Sequence, residues 1–160
     1  MTTFLVQPGA AIAWAAAGGD AVLTLTSLAN NAARQGAKVD LGASFAERYG
    51  YRFTSKFASA PTADTLLRLF LAFSEDNTTF AGGATGSDAA YSDTDDLANT
   101  YELRPIVCDA DTDAQTVVGW FEPLGRYVAP IVWNDATGQA LSATAGDHAL
   151  VIWPMQGVVT

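Results

Sequence analysis

Apolar and polar residues alternate along two segments of the chain, as they do in half-buried β-strands. Residues 21–26 place Leu23 and Leu25 on one face and Val22 and Thr24 on the other. Residues 47–57 show the same period over a longer run, which predicts a strand with an aromatic inner face and a basic outer face. The inner positions are Tyr49, Tyr51, Phe53 and Phe57, and the outer positions are Arg48, Arg52 and Lys56.

Three further strands are predicted near the C-terminus. Residues 126–133 are rich in β-branched and aromatic side chains, residues 139–143 follow a turn cluster, and residues 149–155 are strongly apolar. Strands joined by turns this short are expected to be antiparallel neighbours. The pattern therefore predicts a three-stranded meander onto which the rest of the chain packs.

The middle of the chain predicts a buried strand and a hairpin. Residues 65–73 form an aliphatic run whose length suits a helix or a strand, and the flanking turn signals favour the strand. Residues 101–108 contain Pro105, which confines that strand to an edge or a bulge. Residues 116–121 return after the acidic turn and complete the predicted hairpin.

Other stretches predict short or irregular structure. Residues 4–6 and 11–14 predict short strands in a possible N-terminal arm, residues 1–17. Residues 27–36 predict a single helical turn or a compact loop. Residues 74–99 form a long Gly, Ser, Thr and Asp-rich loop, and loops of this length are commonly functional or disordered. Phe80 and Tyr91 within it indicate docking, either on the domain itself or on a neighbouring subunit.

Together these elements predict an all-β fold in a single domain, residues 1–160. Eight to ten short strands with no long helix are typical of a two-sheet antiparallel sandwich of jelly-roll or Greek-key type. At most a short helical turn is expected, near residues 27–36. The 160 residues are enough to bury a sizeable core without cross-links.

Composition excludes several classes of function. The net charge of −9 and the absence of Lys or Arg runs argue against a nucleic-acid surface. The single cysteine excludes an internal disulfide and a thiolate metal cluster. The apolar run at residues 10–17 has no basic residue before Arg34, so it is interpreted as structural and not as a signal peptide. No stretch is long and apolar enough for a membrane span.

No residue pattern predicts catalysis, a metal site or a cofactor. Asp109, Asp111 and Asp113 have calcium-loop spacing, but Ala114 and Trp120 stand where an EF-hand needs Gly and Glu. The acidic residues of the long loop, Asp93, Asp95 and Asp96, are interpreted in the same way, as solvated.

Nucleophilic and carboxylate pairs are the remaining routes to catalysis. The only histidine, His148, could pair with Cys108, although a lone cysteine is usually buried and inert. Paired carboxylates could come from Glu47, Glu75, Glu102 or Glu122, but nothing in the sequence brings two together.

Seven aromatic side chains are candidates for a sugar-stacking platform, although aromatics on strands are more often core or interface. They are Trp14, Trp120, Trp133, Trp153, Tyr49, Tyr51 and Tyr127.

Several motifs resemble small virion proteins of tailed bacteriophages. They are the opening Ser27-Leu-Ala-Asn-Asn with Arg34-Gln-Gly and Val39-Asp40, the strand 66–73, the loop closed by Asp88-Ala-Ala-Tyr91, and Arg126-Tyr-Val-Ala-Pro130. The resemblance extends over residues 25–153 and rests on common turn and strand residues. It implies a non-enzymatic β-sandwich, most similar to a capsid decoration or cement protein, with no catalytic residues to carry over.

This resemblance implies a location on the capsid surface of a virion assembled in the host cytoplasm. The expected partner is the major capsid protein, and the chain is expected to form a dimer or trimer without binding nucleic acid or membranes. The alternatives are a carbohydrate-binding or receptor-binding module of a fibre or tail, and a hydrolase with an unrecognised site. The side chains expected to contact partners belong to the arm and the long loop: Phe4, Val6, Ile12, Trp14, Phe80 and Tyr91.

Overall fold

Two β-sheets face each other in the computed structural model, which describes the backbone of residues 4–159 and the side chains of residues 9–155. The six-stranded sheet contains β1 (Phe4–Pro8), β2 (Ile12–Ala15), β3 (Ala21–Val22), β6 (Tyr49–Ser55), β11 (Gln115–Phe121) and β13 (Ala149–Val159). The seven-stranded sheet contains β4 (Ala33–Gln35), β5 (Val39–Asp40), β7 (Leu66–Ser74), β8 (Ala89–Tyr91), β9 (Tyr101–Glu102), β10 (Ile106–Val107) and β12 (Tyr127–Asp135). Short 3-10 turns lie at Ala81–Gly83, Thr94–Asn99 and Ala145–Asp147.

The strand order confirms the predicted antiparallel sandwich. In the six-stranded sheet the order is β11-β6-β13-β2-β3, and β1 pairs with the C-terminal part of β13. In the seven-stranded sheet the order is β10-β7-β12-β4-β8, with β9 beside β7 and β5 beside β12. β2 and β3 pair in parallel, and the other paired strands in the described residues run antiparallel. Because β1 and β2 both pair with β13, the predicted N-terminal arm is part of the sheet from residue 4 onwards.

The main core lies between the sheets and follows the period-two patterns. In β6 the odd positions are buried and Arg52 is exposed, so the predicted aromatic face is confirmed. In β7 the inward positions Leu67, Leu69 and Leu71 are fully buried. Leu23 and Leu25 are buried as well, although the β3 ladder ends at Val22. Alternation therefore predicted burial correctly even where no ladder forms.

The outer face of the seven-stranded sheet is covered by the long loop. Phe80, Tyr91 and Leu97 are buried in a second apolar cluster that includes Phe70 and Ile131 of the sheet. The Tyr91 hydroxyl donates a hydrogen bond to the carbonyl of Gly82. The sequence left open whether the loop packs on its own domain or on a neighbouring subunit. In this structure it packs on its own domain.

The predicted C-terminal meander is wrong. β12 pairs with β7, β4 and β5 in one sheet, whereas β13 pairs with β6, β2 and β1 in the other. Residues 139–143 contribute an isolated bridge from Leu141 to Phe57 and form no strand. Because residues 139–143 form no strand, the connection from β12 to β13 covers residues 136–148 and is long enough to cross from one sheet to the other.

The predicted hairpin of residues 101–121 is also wrong. β9 and β10 pair with β7, whereas β11 pairs with β6 in the opposite sheet. The acidic residues 109–113 make the crossing between the sheets. Of the helical turn and the compact loop expected for residues 27–36, the structure shows the loop. Ser27 and Asn31 adopt positive φ values of 56° and 63° in turns, and β4 follows at Ala33.

Candidate interaction surface

Exposed apolar side chains concentrate around β11, an edge strand of the six-stranded sheet. Five large apolar side chains are strongly exposed in the described residues, and four of them lie on or beside this strand. The fifth, Val22, lies in β3 at the opposite edge of the same sheet. The β11 surface is defined here as those four residues with the basic side chains beside them: Val107, Val118, Trp120, Leu124, Arg48 and Arg52.

The alternation of β11 creates this surface. Gln115, Val117 and Phe121 are buried, while Thr116, Val118 and Trp120 point outwards. Pairing with β6 places Val118 opposite Arg52 and Trp120 opposite Gly50. The sequence reveals the alternation, but only the pairing shows that no further strand covers this side of β11.

Gly50 allows two tryptophans to share one row of the sheet. Trp120 lies opposite Gly50 on one side, and Trp153 lies opposite it on the other. The Trp153 indole lies over Gly50 so closely that a Cβ at this position would be 2.4 Å from its Cε2 atom. Because adjacent strands are about 4.8 Å apart, the two tryptophan backbones are separated by about 10 Å.

Basic side chains line the same face. The Arg48 guanidinium lies 4.3 Å from the centre of the Trp120 ring and donates a hydrogen bond to Glu122 at 3.0 Å. Arg52 follows on the outer face of β6, and Lys56 comes directly after the strand ends. Three of the eight basic residues of a chain with net charge −9 therefore lie in this strand or directly beside it. The basic outer face predicted from the alternation agrees with this placement.

Two clefts lie along the β11 surface. One, of about 630 Å³, is lined by residues that include Phe45, Glu47, Arg48 and Leu124. The other, of about 350 Å³, lies between Trp120 and Arg104. Glu47 and Glu122, two of the four glutamates considered for paired-carboxylate chemistry, both line the first cleft. Arg48 engages Glu122, so in this arrangement that carboxylate is part of an ion pair.

The predicted contact residues lie elsewhere. The side chains of Phe4 and Val6 are outside the described residues. Ile12 is half-buried, whereas Trp14, Phe80 and Tyr91 are buried within the chain itself. The Trp14 indole N–H donates to the carbonyl of Ala37 at 2.6 Å. These three aromatics pack in the apolar clusters of the chain itself.

The seven candidate stacking aromatics do not form one platform. Trp14, Tyr49 and Tyr51 are buried in the core. Tyr127 and Trp133 pack on the outer face of the seven-stranded sheet, on the side opposite Trp120 and Trp153. Of the seven aromatics, only Trp120 and Trp153 lie in one row on the outer face of the six-stranded sheet, where they could stack on a ligand.

The candidate nucleophiles are held in buried structural contacts. The Nδ1 atom of His148 lies 2.9 Å from the Ser55 hydroxyl, and its Nε2 atom lies 3.0 Å from the carbonyl oxygen of Ser142. Burial lowers the pKa of His148 and raises the pKa of the Cys108 thiol. Since both ring nitrogens of His148 are engaged by serines, the geometry does not pair the imidazole with Cys108.

The acidic residues 109–113 accept hydrogen bonds from their own segment. Asp109 and Asp111 accept hydrogen bonds from the amides two residues later, at 3.3 and 3.1 Å, and Gln115 donates to Asp109 at 2.7 Å. Across the described residues, no three His, Cys, Asp or Glu side chains converge in a way that could hold a metal ion.

The part of the chain that the structure describes contains no helix long and apolar enough to cross a membrane. Comparison with known proteins leaves the family open, because no family model matches the chain and no curated protein matches its sequence.

Proposed function

We propose that the chain is a non-enzymatic virion structural protein, a decoration protein that binds the outer surface of the major capsid protein lattice. One observation carries the proposal. The outer face of the seven-stranded sheet is covered by the chain's own loop, whereas the six-stranded sheet carries exposed Trp120 and Val118 beside β6. Contiguous exposed apolar side chains rimmed by charge are typical of surfaces that bind another protein. The motifs resembling phage virion proteins supply the kind of partner.

Trp120 is the expected anchor of this contact. A tryptophan buries about 150–250 Å² when fully covered. The 56% of Trp120 that is exposed in the free chain therefore represents about 110 Å², worth about 3 kcal/mol at about 25 cal/mol/Å². Aromatic residues of this kind dominate interface energetics when their surroundings exclude water. Arg48 already holds the indole in place, so little side-chain freedom remains to be lost on binding.

The charge of the surface indicates the chemistry of the lattice side. Arg52 and Lys56 make no ion pair within the described residues. A carboxylate-rich partner surface would complement them and would accelerate encounter at low salt. Attachment is therefore expected to weaken as ionic strength rises, because exposed charge pairs are screened.

Co-sedimentation with capsids of the virus that encodes the chain tests the proposal. The wild-type chain is expected to bind at a fixed copy number per shell and to appear in symmetric copies by cryo-electron microscopy. Trp120→Ala and Arg52→Glu should lower occupancy, and Val22→Ala, at the remote sheet edge, is the matched control. Absence from the shell, or binding unchanged by both β11-surface variants, would contradict the proposal.

A carbohydrate-binding or receptor-binding module of a fibre or tail is the second candidate. The observation favouring it is the row of Trp120 and Trp153 on either side of Gly50, since paired indoles can stack on sugar rings. A glycan panel separates the two functions. Glycan binding that is lost in Trp120→Ala, combined with no capsid binding, would favour this candidate. Capsid binding without any glycan signal would exclude it.

A further inference from the structure

β11 differs from the other strands at the sheet edges in its length. It is seven residues long and ends the six-stranded sheet, whose opposite edge is β3, with two residues. At the ends of the seven-stranded sheet in the described residues are β10, with two residues, and β8, with three. An edge strand exposes a row of unpaired backbone N–H and C=O groups, and short edges limit that exposure. β1, which pairs only with β13, is the next longest edge strand, with five residues ending in Pro8. β11 is therefore the longest edge strand in the described residues.

β11 also lacks the devices that usually prevent strand pairing. Natural edge strands are protected by charged side chains, especially Lys, or by proline. Residues 115–121 contain neither a charged residue nor a proline, although the chain as a whole has a net charge of −9. Five of the seven residues, Thr116, Val117, Val118, Trp120 and Phe121, are types that favour β-structure. An unprotected edge of this kind is suited to receive another strand.

We propose that a second copy of this chain occupies this edge, with the two β11 strands pairing antiparallel across a two-fold axis at Val118. This register is the one that pairs the whole strand, because residues 115 and 121 are equidistant from residue 118. It places Val118 opposite Val118 and Thr116 opposite Trp120 of the other copy. The nearest charged residues then avoid each other, since Glu122 falls opposite Ala114 and Asp113 falls opposite Pro123.

The other sheet supports the same assignment. Val107 in β10 is 61% exposed and lines the cleft that also includes Thr116 and Val117 of β11. The edges of both sheets therefore lie on one side of the sandwich, and a two-fold axis perpendicular to the sheets brings both edges towards the second copy. This axis keeps the two Trp120 side chains on the same face of the dimer. The pairing does not depend on capsid attachment and is measured on the purified chain.

The test is the molar mass of the purified chain by light scattering after size exclusion, over a range of concentrations. The wild-type chain is expected to be a dimer. Val118→Lys and Val118→Glu should each weaken dimerisation by about tenfold or more, because like charges meet across the two-fold axis. An equimolar mixture of the two variants should restore the dimer. Val22→Lys, a valine-to-lysine change on the opposite edge of the same sheet, should leave it intact.

Circular dichroism and thermal melting of each variant distinguish lost pairing from lost folding. Val118 is 58% exposed, so both of its variants are expected to fold. A monomeric wild-type chain would overturn the proposal, as would a dimer that survives Val118→Lys. A dimer that Val22→Lys disrupts instead would assign the contact to the β3 edge and overturn it as well. A monomeric wild-type chain that acquires a capsid peptide along β11 would show that the edge serves the partner and not a second copy.

Discussion

Replacing Asp88 by asparagine tests how the long loop is held against the seven-stranded sheet. The carboxylate of Asp88 accepts two hydrogen bonds from Arg34, at 2.9 and 2.7 Å, and one from the backbone amide of Thr24 at 2.9 Å. Asp88 therefore ties the loop to two segments that are distant in sequence. The substitution keeps the size of the side chain and an oxygen for Thr24, but it removes the charge and turns an amide NH₂ group towards Arg34.

The expected loss follows from partial burial. The side chains of Arg34 and Asp88 are 27% and 17% exposed, so water replaces their contact only in part. Hydrogen bonds to charged groups contribute about 1.5–3 kcal/mol each, and partial solvation reduces the loss of this pair to about 2–3 kcal/mol in total. For a domain of this size that corresponds to a fall in melting temperature of about 4–12 °C.

The pH dependence has a defined sign. Burial alone would raise the pKa of Asp88, but hydrogen bonds from Arg34 and Thr24 outweigh burial and lower it. A carboxyl group with a lowered pKa in the folded state stabilises the fold above its unfolded pKa of about 3.9. That contribution is lost as the pH falls through the folded pKa. The stability difference between wild type and Asp88→Asn should therefore shrink below about pH 4.

Asp40→Asn is the matched control. Asp40 also forms a bidentate pair with Arg126, at 2.7 and 2.7 Å, and hydrogen bonds from Arg126 and from the backbone of Gly42 lower the pKa of Asp40 to about 2. This pair is exposed to solvent, so its loss should change stability much less despite the large pKa shift. Urea denaturation measures both variants. Equal losses for Asp88→Asn and Asp40→Asn would refute the argument from burial.

Three further predictions concern the core. Gly50→Ala should destabilise the fold by about 1–3 kcal/mol in a thermal melt because the new methyl group collides with Trp153, and tryptophan fluorescence should shift. Gly146→Ala is the control and should have little effect, because a Cβ at that position meets nothing within 4 Å. Because burial lowers the pKa of His148, stability should fall from about pH 7 to about pH 5, and His148→Gln should flatten that slope in urea titrations. Cys108 should react with thiol reagents only after unfolding, and rapid labelling of the folded chain would contradict its burial.

Local pattern predicted single strands well and their partners poorly. The segment that became β6 was located from its alternation, because the strand faces the core with every second residue. The segment that became β7 was located as an aliphatic run flanked by turn signals. The meander and the hairpin failed because β12 and β13 lie in opposite sheets, as do β10 and β11. In a sandwich both sheets present apolar inner faces, so the alternation of a strand does not show to which sheet it belongs.

The interaction surface shows the same limit. The sequence drew attention to Phe80 and Tyr91 because large aromatics in a polar loop must contact something, and the structure shows that they contact the chain's own sheet. Val118 looked like an ordinary strand residue, and Trp120 was one of seven aromatics considered for stacking. The sequence did not mark either as exposed, since an outward position in a central strand and one on an open surface have the same pattern. Their exposure depends on the absence of a neighbour for β11, which is a property of the whole fold.

The sequence by itself determined the all-β class, the burial of alternate residues and the basic outer face of β6, because these follow from the two-residue period of an extended chain. It also excluded disulfide cross-links, since a single cysteine has no partner within the chain. Only the tertiary structure decided which strands are neighbours, that the long loop covers one sheet, and that β11 ends the other. These features depend on contacts between residues far apart in the sequence. The packing of the complete core decides which of the available strands pair with each other.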